Sequence, residues 1–301
     1  MDRRTFLKSA AIVGCGLLAG EQLRSLPPVE AAEQYDLVVA GGAGKKPAEI
    51  TRAAIRAMGG MKKFVSRGDV VVVKPNIGWD RLPEHAANTN PEVVAAIVKL
   101  CFEAGAKKVK VFDRTCNDAR RTYKQSGIAD AVSALGAEVS FIDDRRFRDM
   151  SIKGRVLKTW PLYRDVFEAD KLINVPVAKH HGLARLTMAM KNWMGIMGGN
   201  RGSIHQKIGE SLADLCLVIR PTLTVLDAVR ILTANGPQGG NLKDVKKLDT
   251  VVAGVDQVAV DSYGATLFGL KGSDLSYVKA GAAMGIGKMD LAKMKIRKLN
   301  V

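Results

Sequence analysis

The stretch DVVVVKPN, residues 69–76, is a near-continuous run of valine that ends in lysine, proline and asparagine. A strand that is apolar on both faces is typical of a parallel sheet covered by helices on each side. We therefore predict a buried strand over residues 69–74, with Lys74 and Asn76 at its carboxyl end.

Similar strands flank this one along the chain, and amphipathic stretches separate them. The pattern predicts strands at 35–40, 108–113, 138–143, 171–177, 222–227 and 249–254, and helices at 47–58, 91–104, 126–135, 184–194, 205–219 and 257–268. Alternation of this kind predicts an α/β fold, a Rossmann-like three-layer sandwich whose mostly parallel sheet has helices on both faces and right-handed crossovers. Residues 144–163 break the alternation and are predicted to form a small excursion from the sheet.

The first 31 residues are typical of a twin-arginine export signal. The motif RRTFLK at residues 3–8 precedes an apolar run at 10–19. That run is shorter than the roughly 20 residues of a membrane-spanning helix. Cleavage after Ala31 would leave a single α/β domain, 32–301, with no apolar run long enough to span a bilayer. The expectation is a soluble protein, exported by the twin-arginine machinery to a periplasmic or extracytoplasmic location. In the alternative, residues 12–15, IVGC, form a lipoprotein-processing site, and a lipid attached to Cys15 anchors the chain.

The composition favours an anionic partner. The chain has 46 Lys and Arg against 30 Asp and Glu, a formal net charge of +16. Such a charge attracts anions, and with export and few aromatic residues an anionic small molecule is expected, not nucleic acid. Beyond the leader only Cys101, Cys116 and Cys216 remain, widely spaced. They include no Cys-x-x-Cys pair, so neither a disulfide framework nor an iron–sulfur cluster is expected.

Polar residues gather where the predicted strands end. In order they are Lys74, Asn76, Asp113, Asp143, Lys179, His180, His181, Asp227 and Asp256. In an open parallel sheet the carboxyl ends of the strands face one crevice, where ligands bind. The sequence therefore predicts the site at this edge.

The densest cluster is LINVPVAKHH, residues 172–181, followed by Thr187, Lys191, Asn192 and a glycine-rich turn at 195–202. Histidine suits proton transfer near neutral pH, so His180, His181 and Lys179 are the candidate catalytic residues. Neighbouring residues of an extended segment point to opposite sides, so one of the two histidines is expected to face the site. A possible divalent metal would take His180, His181 and His205 with Asp113 and Asp227, a mixed nitrogen and oxygen ligand set.

Several of these segments resemble a known family. They include VVVKPN at 71–76, NPEVV at 90–94, NVPVAKHH at 174–181, MKNWMG at 190–195 with Arg201 and His205, and GVDQVAVD at 254–261. The chain is similar, over nearly its whole length after the leader, to the domain of unknown function 362. Many members of that family carry a cysteine-rich iron–sulfur segment, which this chain lacks. The resemblance implies the fold and the place of the site, but no reaction.

Together these observations predict a cofactor- or metal-assisted enzyme that acts on an anionic small molecule. Lys74, Asn76, Lys191, Asn192 and Arg201 would bind the ligand. The alternative is a non-catalytic periplasmic binding protein, which would use the same lysines without a proton shuttle.

Overall fold

The valine run forms a strand, Val70–Pro75, and its residues 71–73 are fully buried. The structure, a computed structural model, describes residues 34–301, so the RRTFLK motif, Ala31 and Cys15 lie outside the described residues. Strands are numbered β1 to β12 in chain order: Leu37–Gly41, Val70–Pro75, Lys108–Val111, Glu138–Val139, Phe147–Ser151, Thr159–Tyr163, Lys171–Val175, Val177–His181, Arg185–Thr187, Leu223–Leu232, Val245–Gly254 and Ile296–Asn300.

The main sheet is mostly parallel, as predicted. Its order is β12-β1-β11-β10-β7-β2-β3-β4, with the pair β8–β9 attached to β10. Strand β2 runs parallel to both β3 and β7, and Val73 lies opposite Val111 on one side and Ile173 on the other. Strand β11 runs antiparallel to its neighbours β1 and β10.

Helices cover both faces of this sheet, which confirms the predicted α/β class. Helices α1 to α8 are Pro47–Ala57, Pro91–Glu103, Ala119–Gln125, Ile128–Ser133, Asp165–Glu168, Ile208–Val218, Gln257–Thr266 and Ser276–Ala283. Val71 and Val73 belong to a core with α1, α2 and α4, whereas Val72 belongs to a core with α6, α7 and α8. Successive side chains of a strand point to opposite faces, so the valine run contributes to both cores.

The second helix begins as its sequence indicates. The side chain of Asn90 accepts a hydrogen bond from the backbone N–H of Glu92 (2.9 Å), and Pro91 occupies the first turn. Asparagine is a favoured cap, and proline suits the first helical position because its missing N–H would have no partner there. This start fixes the loop that leads from β2 to α2.

The prediction of a helix at 184–194 is wrong. The segment forms β9 and a 3-10 helix, Lys191–Ile196. Strand β9 pairs antiparallel with β8, with Thr187 opposite Lys179. The carboxylate of Asp261 accepts hydrogen bonds from the N–H groups of Ala189 (2.6 Å) and Met190 (2.9 Å). Tertiary partners therefore satisfy backbone groups that a helix would otherwise pair.

Several other boundaries also differ from prediction. Strands β10 and β11 have ten residues each and follow one another as an antiparallel pair without a helix between them. Strand β12 was not predicted, and the strand expected at 138–143 ends at Val139. The helix expected from 205 begins at Ile208, after the 3-10 helix Arg201–Lys207.

The charged segment 144–163 holds a hairpin, since β5 and β6 form a separate two-stranded sheet. The buried carboxylate of Asp214 fixes its tip. It accepts hydrogen bonds from the N–H groups of Arg155 (2.8 Å), Val156 (2.6 Å) and Leu157 (2.9 Å).

In the part of the chain that the structure describes, we find no helix with the length and apolar character needed to cross a membrane.

Candidate functional site

A cavity of about 370 Å³ lies beside the carboxyl ends of β2 and β3 and the β8–β9 hairpin. Basic side chains dominate its polar lining. The charged and polar side chains that line it are Asn76, Asp113, Arg114, Cys116, Lys179, His181, Thr187, Lys191, Asn192, Arg201 and His205. This is the edge of the sheet at which the rule for parallel sheets places ligands.

A buried ion pair, which we call the floor, contributes one of its two members, Asp113, to the cavity lining. The Nζ of Lys74 lies 2.7 Å from Oδ1 of Asp113, and the side chains are 0% and 2% exposed. The same Nζ donates to the carbonyl of Pro75 and to Oδ1 of Asn192, each at 3.0 Å. Burial lowers the pKa of Lys74, and the Asp113 carboxylate opposes that change. Lys74, predicted to bind ligand, and Asp113, predicted to bind metal, are thus partners of each other.

The amide of Asn192 connects this pair to the rest of the site. Its Nδ2 donates to the carbonyl of Lys74 (3.1 Å) and to Oδ1 of Asn174 (2.8 Å), and its Oδ1 also accepts from Nδ2 of Asn76 (3.2 Å). The Oδ1 of Asn76 in turn accepts from Nζ of Lys179 (3.1 Å). The network holds these side chains in place before any ligand arrives.

The three buried lysines differ in how well they are paired. Lys74 has the partners described above, and Lys179 donates to Asn76 and to the carbonyl of Ala87. Lys191 is 7% exposed, and its one hydrogen-bond partner among the described residues is the thioether of Met194, 3.3 Å from Nζ. A thioether is a weak acceptor. Burial lowers the pKa of Lys179 to about 7 and that of Lys191 to about 8.

The alternation of β8 separates the two adjacent histidines. Lys179 and His181 line the 370 Å³ cavity, whereas His180 lines a cavity of about 540 Å³ on the other side of the hairpin, which His181 also borders. The Nδ1 of His180 accepts from the N–H of Gly236 (3.0 Å). Of the two histidines, His181 is therefore the one beside the lysines. The smaller cavity is the candidate site because the buried cations converge on it.

Two histidines stack at this cavity in complementary tautomers. The rings of His181 and His205 are 5.5 Å apart and 13° from parallel. Nδ1 of His181 accepts from the N–H groups of Leu183 (3.1 Å) and Ala184 (3.2 Å), so the proton of the neutral ring is on Nε2. Nδ1 of His205 donates to the carbonyl of Gly202 (2.9 Å), which leaves its Nε2 as an acceptor.

Burial favours the neutral form of both rings. Burial lowers the pKa of His181 to about 3, helped by the charge of Lys191, and burial also lowers the pKa of His205. A neutral imidazole has one donor and one acceptor. His181 consequently has a proton to donate at Nε2, and His205 has a free lone pair at Nε2.

Arg201 fixes the loop between β3 and α3 to the 3-10 helix Lys191–Ile196. Its NH1 donates to the carbonyls of Arg114 (2.8 Å) and Met194 (3.1 Å), and its NH2 donates to the carbonyl of Thr115 (2.7 Å). The Sγ of Cys116 lies 3.5 Å from NH2. Arg201 was predicted to bind ligand, but backbone partners occupy most of its donors. Its charge therefore acts on the cavity mainly through space.

The structure brings three of the five predicted metal ligands, Asp113, His181 and His205, to one cavity and leaves out the other two. Asp227 accepts hydrogen bonds from the N–H groups of Asn90 (2.7 Å) and Val229 (3.0 Å), within β10 and not at its end. Burial raises its pKa to about 6. His180 is on the far side of the hairpin, and Asp113 is paired with Lys74. Within residues 34–301, no three His, Cys, Asp or Glu side chains are grouped closely enough to hold a metal ion.

Asp256 lies at the opposite edge of the sheet from the cavity. Its Oδ1 accepts from the N–H groups of Val258 (2.8 Å) and Ala259 (3.0 Å) at the start of α7. Strand β11 is antiparallel to its neighbours, so its carboxyl end, Gly254, pairs with Leu37 and Thr224 near the amino ends of β1 and β10. The expectation that Asp256 emerges at the site is wrong for this reason.

Two residues that support the site were not predicted. Asp261 holds the backbone before Lys191, and its signal in the sequence is an acidic residue inside an otherwise apolar helix. Gly195 lines the cavity where the Lys74–Asp113 pair leaves no room for a side chain. A glycine carries no comparable signal, because glycine is also a common residue of turns.

Comparisons with known proteins place these features in a family. The family model described as domain of unknown function (DUF362) matches residues 71–266, a range that includes every cavity residue named above. A thylakoid-associated protein of Synechocystis sp. is 30% identical over 218 residues, which cover 70% of this chain and 66% of that protein.

Two solved structures also match. One is a protein from Thermotoga maritima, with a TM-score of 0.44 and 9% identity, covering 76% of this chain and 60% of that chain. The other is the lactate racemase apoprotein from Thermoanaerobacterium thermosaccharolyticum, with a TM-score of 0.44 and 11% identity, covering 83% of this chain and 57% of that chain.

Proposed function

The chain belongs to the domain of unknown function 362 family, and we propose that it is an enzyme that binds a small anionic molecule in the 370 Å³ cavity. The observation that carries the proposal is the surplus of positive charge. Lys179, Lys191, Arg114 and Arg201 line the cavity, and Asp113 is the one acidic side chain among its lining residues. Asp113 is already paired with Lys74. Buried charge needs a counter-charge, and an anionic ligand would supply it.

The stacked histidines support an enzyme over a simple binding protein. A general base needs a free lone pair within reach of the ligand, and a general acid needs a polarised proton. The free Nε2 of His205 offers the first, and the Nε2 proton of His181 offers the second. A non-catalytic binding protein, the alternative, would need the lysines alone. If the protein only binds its ligand, replacing His205 by glutamine would leave anion affinity unchanged and have no further effect. If the protein is an enzyme, the same variant would also lose turnover.

The cavity does not contain the complete metal-ligand set that the sequence predicts. Three of the five residues, His181, His205 and Asp113, line the cavity, but Asp113 is paired with Lys74. His180 lies across the hairpin, and Asp227 is bound to backbone N–H groups. The donors that surround the cavity are amines and imidazoles. Cationic amines suit carboxylate or phosphate oxygens, with which they form charge-assisted hydrogen bonds.

Replacing Lys191 by methionine is expected to weaken anion binding about 10- to 100-fold, the usual value of a hydrogen bond to a charged group. Without ligand, the thermal transition should stay the same or rise slightly, because the variant no longer buries an amine whose contact is a thioether. Calorimetric titration with phosphate and with glycolate measures the affinity.

The matched control is Lys99→Met, which removes an exposed lysine of α2. It should bind both anions like the wild type. If neither anion binds the wild-type protein, the proposed function is wrong. Equal affinities of the Lys191→Met variant and the wild type would instead remove Lys191 from the site, and a large loss of thermal stability would make it structural.

We propose further that the protein is exported through the twin-arginine route. The support is the RRTFLK motif before a short apolar run. The double variant Arg3→Lys, Arg4→Lys is expected to accumulate as an uncleaved precursor in the cytoplasm, as fractionation and immunoblotting would reveal. Arg24→Lys, which changes an arginine outside the motif, should be exported normally. Normal export of the double variant would refute the assignment, and loss of membrane-bound protein on Cys15→Ser would favour the lipid anchor.

A further inference from the structure

Lys191 is the one of the three buried lysines that is poorly paired within the described chain. Lys74 contacts a carboxylate and two oxygen acceptors, and Lys179 contacts two oxygen acceptors. Lys191 contacts a thioether, although it is 7% exposed and lines the cavity. An amine that only holds structure would be expected to have an oxygen partner at such depth. In its neutral form, the lone pair of this amine is free to react.

A second side chain in the same cavity also lacks a partner. Thr187 is 4% exposed, and its hydroxyl makes no hydrogen bond to any residue in the range 34–301. Thr187 lies directly opposite Lys179 in the β8–β9 pair, so the two side chains share one face of the hairpin. Directly opposed residues of an antiparallel pair have Cβ atoms about 4.5–5.5 Å apart. Both residues also line the cavity, so the ammonium and the hydroxyl are the groups on this face that a carboxylate there could meet.

We propose that Lys191 is a nucleophile that forms an imine with a small oxo acid, an aldehyde or ketone that carries a carboxylate. This inference rests on the proposed function. It divides the proposed anion site into a part that binds the carboxylate and a part that reacts with the carbonyl group. Lys179 and Thr187 hold the carboxylate, whose negative charge favours the charged form of Lys179. Lys191 attacks the carbonyl carbon. The free Nε2 of His205 then accepts a proton from the adduct.

The reaction balances without a further reactant. The Nζ lone pair adds to the carbonyl carbon, and the electron pair of the C=O bond moves to oxygen, which takes a proton. The resulting carbinolamine loses that oxygen as water, the nitrogen gives up its second hydrogen, and a C=N bond remains. No oxidant or reductant is needed.

The surroundings favour the neutral amine that such an attack requires. Lysine nucleophiles are activated by burial or by a neighbouring cation. Burial lowers the pKa of Lys191 to about 8, and Arg201 acts in the same direction, while Cys116 opposes both. Lys179, His181 and His205 also face this amine. Near pH 8, about half of the Lys191 side chains are neutral, whereas an ordinary lysine with a pKa of about 10.4 is almost wholly protonated.

The test traps the imine by reduction. The full protein is treated with glyoxylate and borohydride near pH 8, which converts an imine into a stable carboxymethyl amine by adding hydride to carbon and a proton to nitrogen. Peptide mass spectrometry then locates the adduct. We expect modification of Lys191 at least tenfold above that of the exposed Lys99. Phosphate in excess should suppress it.

Matched reagents and variants keep the result decisive. Glycolate has the same carboxylate but no carbonyl, so it should bind without leaving an adduct. Lys191→Arg keeps the charge and should bind glycolate yet lose the adduct, and Lys191→Met serves if the arginine variant does not fold. Thr187→Val should lower the adduct yield about tenfold at limiting glyoxylate.

The outcomes separate this inference from the proposed function. Glycolate binding without an adduct on Lys191, or an adduct that is found on Lys179 instead, overturns the imine and leaves the anion site standing. Equal labelling of Lys191 and Lys99 also overturns the imine. If neither phosphate nor glycolate binds and no adduct forms, the imine and the proposed function are overturned together.

Discussion

Replacing Asp113 by asparagine is expected to lower the free energy of unfolding by about 3–5 kcal/mol, the usual cost of removing one partner of a buried ion pair. The variant leaves the Lys74 ammonium, whose side chain is 0% exposed, without its counter-charge. Asparagine retains the shape of aspartate and an oxygen that can accept the hydrogen bond from the N–H of Ile77. The loss is therefore assigned to charge. Urea unfolding followed by circular dichroism measures it.

The chain offers a matched control in an exposed ion pair. Lys124 and Asp130 are 2.8 Å apart, nearly the same separation as Lys74 and Asp113, but they are 74% and 63% exposed. Asp130→Asn should change stability little or not at all, as is usual for exposed pairs. Adding Lys74→Met to Asp113→Asn should recover most of the lost stability, because the uncompensated ammonium is gone. A loss below about 1 kcal/mol for Asp113→Asn would contradict this view of the floor.

Replacing Gly195 by alanine is expected to cost about 3 kcal/mol, the upper part of the range for overpacking, and to abolish anion binding. A Cβ at this position would lie 1.7 Å from Oδ1 of Asp113 and 2.5 Å from Nζ of Lys74. The backbone of Gly195 is not in the left-handed region, so alanine can adopt the same backbone conformation. Alanine also restricts the unfolded chain, which by itself would stabilise the folded protein slightly. Any loss therefore reports the collision with the ion pair.

Gly202→Ala is the comparison for this prediction. The glycine lies in the same part of the chain, and the atom nearest to a Cβ added there would be Oδ1 of Asn200, at 3.4 Å. Its stability and affinity for phosphate should match the wild type. The losses from Gly195→Ala and Asp113→Asn should be less than additive, since both disturb one pair. Additive losses, or a stable Gly195→Ala protein that binds phosphate normally, would show that the floor can rearrange.

Much of the fold could be predicted because its signals are local. The valine run at β2 and the Asn90-Pro91 start of α2 each determine one element from a few neighbouring residues. The prediction of a helix at 184–194 failed because the leucine and methionine residues there suit a helix, whereas contacts with residues distant in sequence favour a different structure. Propensity is a weak guide wherever tertiary contacts compete with it.

The same difference between local and distant contacts explains how much of the site could be predicted. Lys179, Lys191, Asn76 and Asn192 lie at one cavity, as the rule for strand ends predicts. Asp256 was misplaced because the direction of β11 cannot be read from its own residues. The pairing of Lys74 with Asp113 was also beyond reach, since charge types alone do not reveal which residues become partners.

The contacts that build the cavity join parts of the chain that are far apart. Asn192 lies 118 positions from Lys74, and Lys179 lies 92 positions from Ala87. Closing such long loops costs entropy before any contact repays it, and chains rich in distant contacts fold slowly. Forming the cavity therefore requires these long loops to close. Both halves of the chain contribute side chains to the cavity, so a single proteolytic cut that lets the halves separate would divide the site.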